Sequence, residues 1–334
     1  MVVNVALIGL GHWGKNHIIA LKKLNELGTV GEITLCDLEA DYGRKIAEVH
    51  NHPFEEDIDV IIANPQIDAI HIVTPNDTHF TIGSKALSAG KHVLMEKPLA
   101  MTTQECDSLI KLAEENSCIL MVGHLFRFHP AIRKLRELIS EGYFGSIYSI
   151  DIVRKAMRIP RYDSGVLHSL AIHDVDLACY LFDQPLPESL YSIGQSFSRD
   201  YPDESSIIIM KFPNSGFAKI ESTWLNPTSK SIRTLEMIGS RRSAVVNFLK
   251  PEEMVIRNGH IENQDGELRY IQGSSEIIST YSGMTLDLEI IHFLNCVISG
   301  NEPLTPGLVG RNAVAMIEAA FESISTGNVQ KISG

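Results

Sequence analysis

The 334-residue chain lacks a long apolar run, a paired-cysteine pattern and an excess of basic residues. No apolar run approaches the roughly 20 residues that a membrane-spanning helix requires, and the first residues lack the basic region of a secretion signal. The five cysteines are scattered without CxxC pairs, which predicts reduced thiols, no metal site and a cytoplasmic protein. A net charge of −12 argues against general nucleic-acid binding, because phosphate contacts need a basic surface.

The composition that remains is typical of a globular enzyme. Hydrophobic residues make up 44% of the chain and charged residues 21%, which excludes a disordered protein. The length exceeds that of one ordinary hydrophobic core, so two domains are expected. The change in pattern after the strand that ends at Val122 predicts domains at 1–122 and 123–334.

A glycine-spaced segment directly follows the first predicted strand, at residues 2–8. The segment reads Gly9-Leu10-Gly11-His12-Trp13-Gly14, and a predicted helix continues to Leu27. In a dinucleotide-binding turn the first glycine allows the tight turn, the second lets backbone approach a pyrophosphate, and the third lets helix pack on strand. The free N–H groups at the helix start then face the phosphate charge. The segment therefore predicts a dinucleotide site.

Asp37 stands at the end of the second predicted strand, 33–36. A carboxylate at this point binds the adenosine ribose hydroxyls and repels a 2′-phosphate. The next residue is Leu38 rather than an arginine that would hold such a phosphate, so NAD is favoured over NADP. An alternative interpretation makes Asp37 the N-cap of a helix that starts near Ala40, and the two roles are compatible.

Strands and helices alternate through the rest of the first third, which predicts a doubly wound parallel sheet. Loops 74–79 and 96–98 follow two of these strands, where open α/β sheets bind their ligands. Thr102 and Glu105 form a capping-box pattern for a further helix.

The remainder alternates polar and apolar residues in segments that turn signals separate, which predicts a mostly antiparallel sheet. Helices are expected near 167–182, 286–299 and 309–326. A sheet with helices on one face leaves the other face to be covered, most simply by a second copy of the chain. The sequence therefore predicts a C-terminal α+β domain and a homodimer or homotetramer through its sheet.

Four motifs together resemble one family. GLGHWG at 9–14, TPNDTH at 74–79, EKP at 96–98 and HDVD at 173–176 are similar to those of the Gfo/Idh/MocA family, named for glucose–fructose oxidoreductase and inositol dehydrogenase. The resemblance spans both predicted domains. It implies an N-terminal Rossmann domain, a C-terminal α/β domain with an open sheet, and NAD(P)-dependent oxidation of sugars or cyclitols.

The resemblance also implies roles for individual residues. Lys97 matches the active-site lysine, with a cis peptide bond before Pro98, and His173 matches the acid–base position. The residues that would line the nicotinamide side are Thr74, Pro75, Asn76, His79, Glu96 and His124. Oxidation of a secondary alcohol suits this pair, since an imidazole removes the hydroxyl proton while an ammonium group stabilises the alkoxide. The alternatives are a surface lysine and a core histidine.

One position departs from the family pattern. Ser169 stands where the family usually has an aspartate, four residues before His173 on the same helical face. Glu96, Asp174 or His168 are candidates to replace the missing charge. The departure keeps open a function of another class, a non-catalytic NAD-binding regulator.

A basic segment, Arg154, Lys155, Arg158 and Arg161, suggests a diphosphate-bearing substrate, since guanidinium groups pair with phosphate oxygens. The alternative is a solvated basic loop. Residues 123–132 and 163–176 resemble nucleotide-sugar dehydrogenases of the UDP-N-acetylglucosamine 3-dehydrogenase type. That resemblance assigns Arg127, Arg161 and His168 to the substrate cleft, although Arg127 also fits a structural arginine bonded to backbone carbonyls. The other enzymatic candidate is a free-sugar or inositol dehydrogenase.

Overall fold

The computed structural model describes residues 2–160, 164–198, 203–213, 216–227, 231–250, 252–280 and 283–332. The chain divides into two compact units. The first contains Met1–Leu125 and Met284–Val314, and the second contains Phe126–Gly283 and Ala315–Gly334. Residues 284–314 therefore belong to the same compact unit as the N-terminal residues. The predicted division at residue 122 assigned them to the C-terminal domain.

The predicted helices are present in order, and two further helices, at 58–63 and 130–140, were not predicted. The helices are α1 (His12–Glu26), α2 (Ala40–His50), α3 (Ile58–Ala63), α4 (His79–Ser88), α5 (Thr103–Glu115), α6 (Pro130–Ser140), α7 (Ile172–Phe182), α8 (Thr285–Ser299) and α9 (Gly307–Thr326). The capping box at the start of α5 is confirmed: Thr102 accepts from the Glu105 N–H while the Glu105 side chain accepts from the Thr102 N–H. Among the described residues, no helix is both long and apolar enough to cross a bilayer.

The first unit is built on a six-stranded parallel sheet, as predicted. Its strands are β1 (Val3–Ile8), β2 (Val30–Cys36), β3 (Phe54–Glu55), β4 (Ala69–Ile72), β5 (His92–Met95) and β6 (Leu120–Val122). Their order across the sheet is β3-β2-β1-β4-β5-β6. The strands after β1 are first added on one side of it, as β2 and β3, and then on the other side, starting with β4. Ligands of open α/β sheets bind beyond the carboxyl ends of the strands at such a switch point.

The second unit contains a nine-stranded, mostly antiparallel sheet, which confirms the predicted class. Its strands are β7 (Ile147–Lys155), β8 (Ser189–Gln195), β9 (Ser205–Lys211), β10 (Phe217–Thr223), β11 (Ile232–Gly239), β12 (Ser243–Asn247), β13 (Glu253–Arg257), β16 (Ser275–Ser279) and β17 (Gln330–Lys331), and a separate hairpin holds β14 (His260–Gln264) and β15 (Glu267–Ile271). Strands β7 and β10 pair in parallel.

Two features of the second unit bear on the site. From Ile150 onward every second residue of β7 is buried, namely Ile150, Ile152 and Arg154. An arginine therefore occupies a core position of the strand. The segment Leu167–Ala171, predicted as the first part of one helix, forms a π-helical turn before α7 begins.

Candidate functional site

The loops that follow β1, β2, β4 and β5, together with His124 two residues after β6, contain the predicted cofactor-binding residues of the first unit. All these strands are parallel, so their carboxyl ends meet at one edge of the sheet. The fold therefore brings the 9–14, 74–79 and 96–98 segments to the same edge, as the sequence predicted. This edge is the candidate cofactor site.

The glycine loop has the shape that a pyrophosphate requires. Gly9 has a φ of +97°, and a Cβ there would lie 2.4 Å from the Val73 carbonyl oxygen. A Cβ on Gly14 would lie 2.1 Å from the Gly9 carbonyl oxygen, so strand and helix touch at this point. A Cβ on Gly11 would meet no atom within 4 Å. The loop thus leaves open space beside Gly11 at the start of α1, where free N–H groups favour an anion, and the residues present fit a dinucleotide.

The two glycines permit a matched test. We expect Gly11→Ala to fold with unchanged thermal stability but to weaken NAD binding about tenfold or more, a loss of roughly 1.4 kcal/mol. We expect Gly14→Ala to lower the free energy of unfolding by about 1–3 kcal/mol, because the added methyl group must displace backbone. Thermal melts with and without NAD distinguish the two effects. Equal losses of stability in both variants would contradict the assignment.

Asp37 is held against the glycine loop. One carboxylate oxygen accepts the Leu10 N–H at 2.8 Å, and the other accepts the Glu39 N–H at 2.9 Å. The hydroxyl of Tyr42 donates to the Leu10 carbonyl at 2.8 Å. The residue at the N-cap position of α2 is Glu39, without a side-chain cap hydrogen bond, so the alternative N-cap role of Asp37 is wrong. The side chain remains partly exposed, as a ribose-binding carboxylate requires.

The loop after β4 is tied to the loop after β5 by His79. This buried ring contacts the Pro98 carbonyl oxygen at 2.7 Å through Nδ1 and the Thr74 carbonyl oxygen at 3.0 Å through Nε2. Burial lowers the pKa of His79, although both backbone contacts act to raise it. The hydroxyl groups of Thr74 and Thr78 lie 2.7 Å apart. The buried His79 therefore connects the two loops. Pro75 is exposed and Asn76 is half-buried.

Glu96 connects the glycine loop to the lysine loop. Its Oε1 accepts the Trp13 indole N–H at 2.5 Å and lies 3.1 Å from Nε2 of the buried His17, while Oε2 accepts the Lys97 N–H at 3.3 Å. Burial acts to raise the pKa of Glu96, but the hydrogen bond from His17 and the charges of His17 and Lys97 outweigh it and lower the pKa. The Glu96 carboxylate is thus hydrogen-bonded to the backbone of Lys97.

The residues around this carboxylate complete the predicted edge. The Lys97–Pro98 peptide bond is cis, which confirms the expectation from the family resemblance. His124 is buried just after β6 and donates its backbone N–H to the Val122 carbonyl at 2.7 Å. His12 opens α1 and is exposed. The cofactor-contact roles of these residues stay predictions.

A buried acid and a buried histidine below this edge were not predicted from the sequence. Glu289 of α8 and His71 of β4 are both fully buried, and within the described part of the chain neither side chain has a hydrogen-bond partner. The His71 ring packs edge-on against His17 and Phe293, with centroids 5.7 and 5.5 Å apart. Burial, and then the charge of Glu96, raises the pKa of Glu289 well above its ordinary value. Burial, and then His17, lowers the pKa of His71, so both groups are neutral.

Glu289 makes the stability of the chain depend on pH. The carboxyl group ionises in the unfolded chain above its ordinary pKa but stays protonated in the fold, so rising pH favours unfolding. We expect Glu289→Gln, which cannot ionise, to raise the free energy of unfolding by about 1–3 kcal/mol at neutral pH and by little near pH 4. Denaturant melts across pH measure the difference, with the exposed Glu26→Gln as the control. A gain that is constant with pH would contradict the protonated state.

In the second unit, His173 lies in the first turn of α7 and is half-buried. Its ring packs edge-to-face against Phe126, with centroids 5.1 Å apart and planes at 89°. One turn earlier, the Ser169 hydroxyl lies 2.8 Å from the Ser164 hydroxyl. The His168 ring packs against Phe321 at 5.2 Å. The roles of His168 and His173 toward a substrate stay predictions, and Arg161 lies outside the described residues.

Arg127 is held by a carboxylate. Its Nε and Nη2 atoms donate to the Asp176 side chain at 2.6–3.1 Å, and its guanidinium lies 4.7 Å from the centroid of Tyr180. Burial acts to lower the pKa of Arg127, but the charge of Asp176 outweighs it and raises the pKa. Arg127 is thus paired with a carboxylate of α7, and its role toward a substrate stays a prediction.

The basic segment is largely neutralised by acids. Arg154 is buried and donates from Nε to both Asp174 oxygens at 2.7 and 2.6 Å, and Lys155 pairs with Glu221 at 2.5 Å. Arg158 is exposed. These ion pairs count against Arg154 and Lys155 as ligands of a diphosphate. They could not be predicted from the sequence, because each acid is distant along the chain from its partner.

Comparisons with known proteins agree with the N-terminal and C-terminal motifs. A family model described as "Oxidoreductase family, NAD-binding Rossmann fold" matches residues 3–124, and one described as "Oxidoreductase family, C-terminal alpha/beta domain" matches residues 136–332. The chain is 29% identical over 316 residues to the UDP-N-acetylglucosamine 3-dehydrogenase of Acidithiobacillus ferrooxidans, covering 94% of each protein. It is 27% identical to the scyllo-inositol 2-dehydrogenase (NAD(+)) of Bacillus subtilis, covering 90% of this chain and 88% of that protein.

A solved structure matches over nearly the whole length. The UDP-N-acetylglucosamine 3-dehydrogenase from Acidithiobacillus ferrooxidans superposes with a TM-score of 0.81 at 26% identity, covering 97% of this chain and 98% of that one. The fold of both units is thus shared with an enzyme whose name specifies oxidation of a nucleotide sugar.

Proposed function

Because the chain belongs to the Gfo/Idh/MocA oxidoreductase family, we propose that it uses NAD to oxidise a secondary hydroxyl group of a sugar, and that the sugar is carried on a nucleoside diphosphate. Family membership makes the chain an NAD(P)-dependent oxidoreductase. The observation that carries the proposal is the sheet edge where the open glycine loop, Asp37 and Lys97 come together.

The proposed chemistry divides between two side chains. A nicotinamide held at this sheet edge would supply the acceptor for the hydride of the carbinol carbon. We assign removal of the hydroxyl proton to the His173 imidazole, whose titration range suits a base near neutral pH. Lys97 holds the hydroxyl oxygen and stabilises the negative charge that develops on it. Glu96 fixes the backbone of Lys97 through its 3.3 Å hydrogen bond, which restricts where the ammonium group can reach.

Support for a nucleotide sugar comes from the relative named UDP-N-acetylglucosamine 3-dehydrogenase, which matches over 94% of this chain. The charge argument is weaker than the sequence suggested, because Arg154 and Lys155 bind acids of this chain. Arg158 and Arg161 are the remaining candidates to bind a diphosphate. The relative named scyllo-inositol 2-dehydrogenase favours a cyclitol as the second candidate substrate.

A substrate panel tests the proposal. NADH formation is measured with UDP-N-acetylglucosamine, free N-acetylglucosamine and inositols, with NAD as oxidant and UDP as a competitor. We expect turnover of the UDP-sugar, inhibition by UDP, and a raised KM for the UDP-sugar in an Arg158→Gln/Arg161→Gln variant. Turnover of inositol alone would replace the nucleotide sugar with a cyclitol. Tight NAD binding without turnover of any compound would instead favour a regulator.

We also propose that a second copy of the chain covers the open face of the nine-stranded sheet. The residues on its outer positions include exposed apolar side chains, namely Ile193, Ile209, Phe217 and Ile238. Between them lie ion pairs such as Lys219 with Asp151 at 2.6 Å. Sedimentation equilibrium at micromolar concentration tests this, and a monomer at all concentrations would exclude it.

A further inference from the structure

We propose that Arg154, Asp174 and Phe126 form a clamp that positions the His173 imidazole, which makes Arg154 a positioning residue for proton transfer rather than a substrate ligand. The inference rests on the proposed role of His173 as the base. It goes beyond that role because it assigns a function to a buried ion pair that the proposed chemistry does not use.

The contacts of the clamp form one continuous series. Asp174 directly follows His173 on α7, and its two carboxylate oxygens accept short hydrogen bonds from Nε of Arg154. The Arg154 guanidinium lies over the Phe126 ring, with its central carbon 3.9 Å from the centroid. The edge-to-face contact of 5.1 Å then joins Phe126 to His173. His173 is therefore linked to Arg154 both through the backbone of α7 and through the Phe126 ring.

A second aromatic ring holds the guanidinium from another side. Phe248 lies 5.1 Å from the central carbon of Arg154 and packs edge-on against Phe126 at 5.2 Å. Arg154 is only 4% exposed and Asp174 is fully buried. Among the described residues, Nη2 of Arg154 has no hydrogen-bond partner. A guanidinium held between rings and a carboxylate has little freedom to move, so it restricts the Phe126 ring.

The neighbouring turn of the helix explains why such a clamp is needed. A catalytic base needs a third group that fixes its orientation, and in many sites this group is a carboxylate. Position 169, one turn before His173, carries a serine whose hydroxyl lies beside that of Ser164. The nearest carboxylate on the helix, Asp174, binds Arg154. The aromatic contact with Phe126 is thus the route by which this ion pair acts on the imidazole.

The pair also carries a charge that changes with pH. Burial raises the pKa of Asp174 to about 6, although the Arg154 guanidinium acts in the opposite direction. The other ionisable groups that interact with the pair are Arg233 and His129, and burial followed by the charge of Arg154 lowers the pKa of His129 to about 4. With Asp174 ionised, the pair is neutral. Loss of that carboxylate leaves a buried positive charge beside His173.

Variants separate the positioning effect from the charge effect. Arg154→Gln and Phe126→Leu are expected to lower kcat at least tenfold with the KM for NAD unchanged. In Arg154→Gln the buried Asp174 loses the cation that lowers its pKa and binds a proton, so neither variant is expected to displace the acid limb of the pH profile. Asp174→Asn is expected to move that limb to lower pH, because the uncompensated Arg154 charge opposes protonation of His173. The double variant Arg154→Gln/Asp174→Asn should return the limb to its original position without restoring kcat. Arg154→Lys, which keeps the charge but not the flat guanidinium, should recover only part of kcat.

The matched control is Arg136→Gln, since Arg136 also pairs with an aspartate, the C-cap residue Asp183 of α7, and also lies over an aromatic ring, Tyr180. A readout independent of turnover is the imidazole NMR signal of His173, assigned by its loss in His173→Asn. We expect Arg154→Gln to shift this signal and Arg136→Gln to leave it in place.

The outcomes separate the clamp from the proposed function. An unshifted His173 signal in Arg154→Gln overturns the clamp, as does a kcat within threefold of the wild type. If Arg154→Gln does not fold, Phe126→Leu decides by its kcat, which must fall while the acid limb stays in place. If the wild type oxidises none of the sugars, the proposed function fails, and the NMR comparison still decides whether Arg154 positions His173.

Discussion

Lys97→Met is expected to lower kcat about a thousandfold while NAD affinity stays within a factor of about two. The reason is that the ammonium group stabilises the alkoxide as the hydride leaves, and removal of one such group costs roughly 10²–10³ in rate. Methionine keeps the length and apolar stem of the side chain, so the packing of the half-buried position is preserved. Steady-state kinetics and NAD titration by fluorescence measure the two quantities.

The control for this prediction is Lys85→Met. Lys85 pairs with a carboxylate, Asp59, and lies on the exposed face of α4. Its replacement is expected to leave kcat unchanged. A Lys97→Met variant with kcat within threefold of the wild type would remove Lys97 from the chemistry and favour the surface-lysine interpretation.

Asp37→Asn is expected to weaken NAD binding by about tenfold to a hundredfold and to narrow the preference for NAD over NADP. The asparagine keeps a carbonyl oxygen for the Leu10 N–H, but it loses the charge that binds ribose hydroxyls and repels a 2′-phosphate. Hydrogen bonds to a charged group contribute about 1.5–3 kcal/mol, which sets this range. Adding Leu38→Arg is expected to reverse the preference, because Leu38 is exposed beside the same carboxylate.

Cofactor titrations with NAD and NADP measure the preference, and Glu39→Gln serves as the control. Glu39 is an exposed acid two residues farther along the chain, so its loss removes a similar charge without touching the glycine loop. A wild-type protein that binds both cofactors equally would refute the preference. Equal weakening in the Asp37 and Glu39 variants would show that only overall charge matters.

Sequence patterns predicted the structure correctly where the interacting groups are close together along the chain. The capping box of α5 was correct to the residue, because both of its hydrogen bonds join groups within one helical turn. The sheet edge was correct because parallel strands necessarily end together. The predicted helix at 167–182 was only partly correct. Its first part, Leu167–Ala171, is π-helical, and the side-chain pattern of one turn does not reveal this.

The sequence analysis failed mainly to predict which groups the buried charged side chains bind. His17 lies one turn after Trp13 on α1, but the partner that both bind, Glu96, follows β5. Glu289 lies on the apolar face of α8, and an acid at such a position was a signal that the sequence analysis did not use. Arg154 was grouped with its basic neighbours along the chain, whereas its partner in the fold is Asp174.

The sequence determined the local elements, the parallel and antiparallel sheets and the edge at which Gly11, Asp37 and Lys97 gather, because turn chemistry and side-chain periodicity act over a few residues. Tertiary structure alone decided which charges are available to a ligand. Arg154 is hydrogen-bonded to Asp174, and Glu96 is hydrogen-bonded to Trp13 and His17. The physical reason is desolvation: a charge buried by the fold must find an opposite charge or a hydrogen bond there, and the chain segment that supplies it is set by packing and not by proximity in sequence.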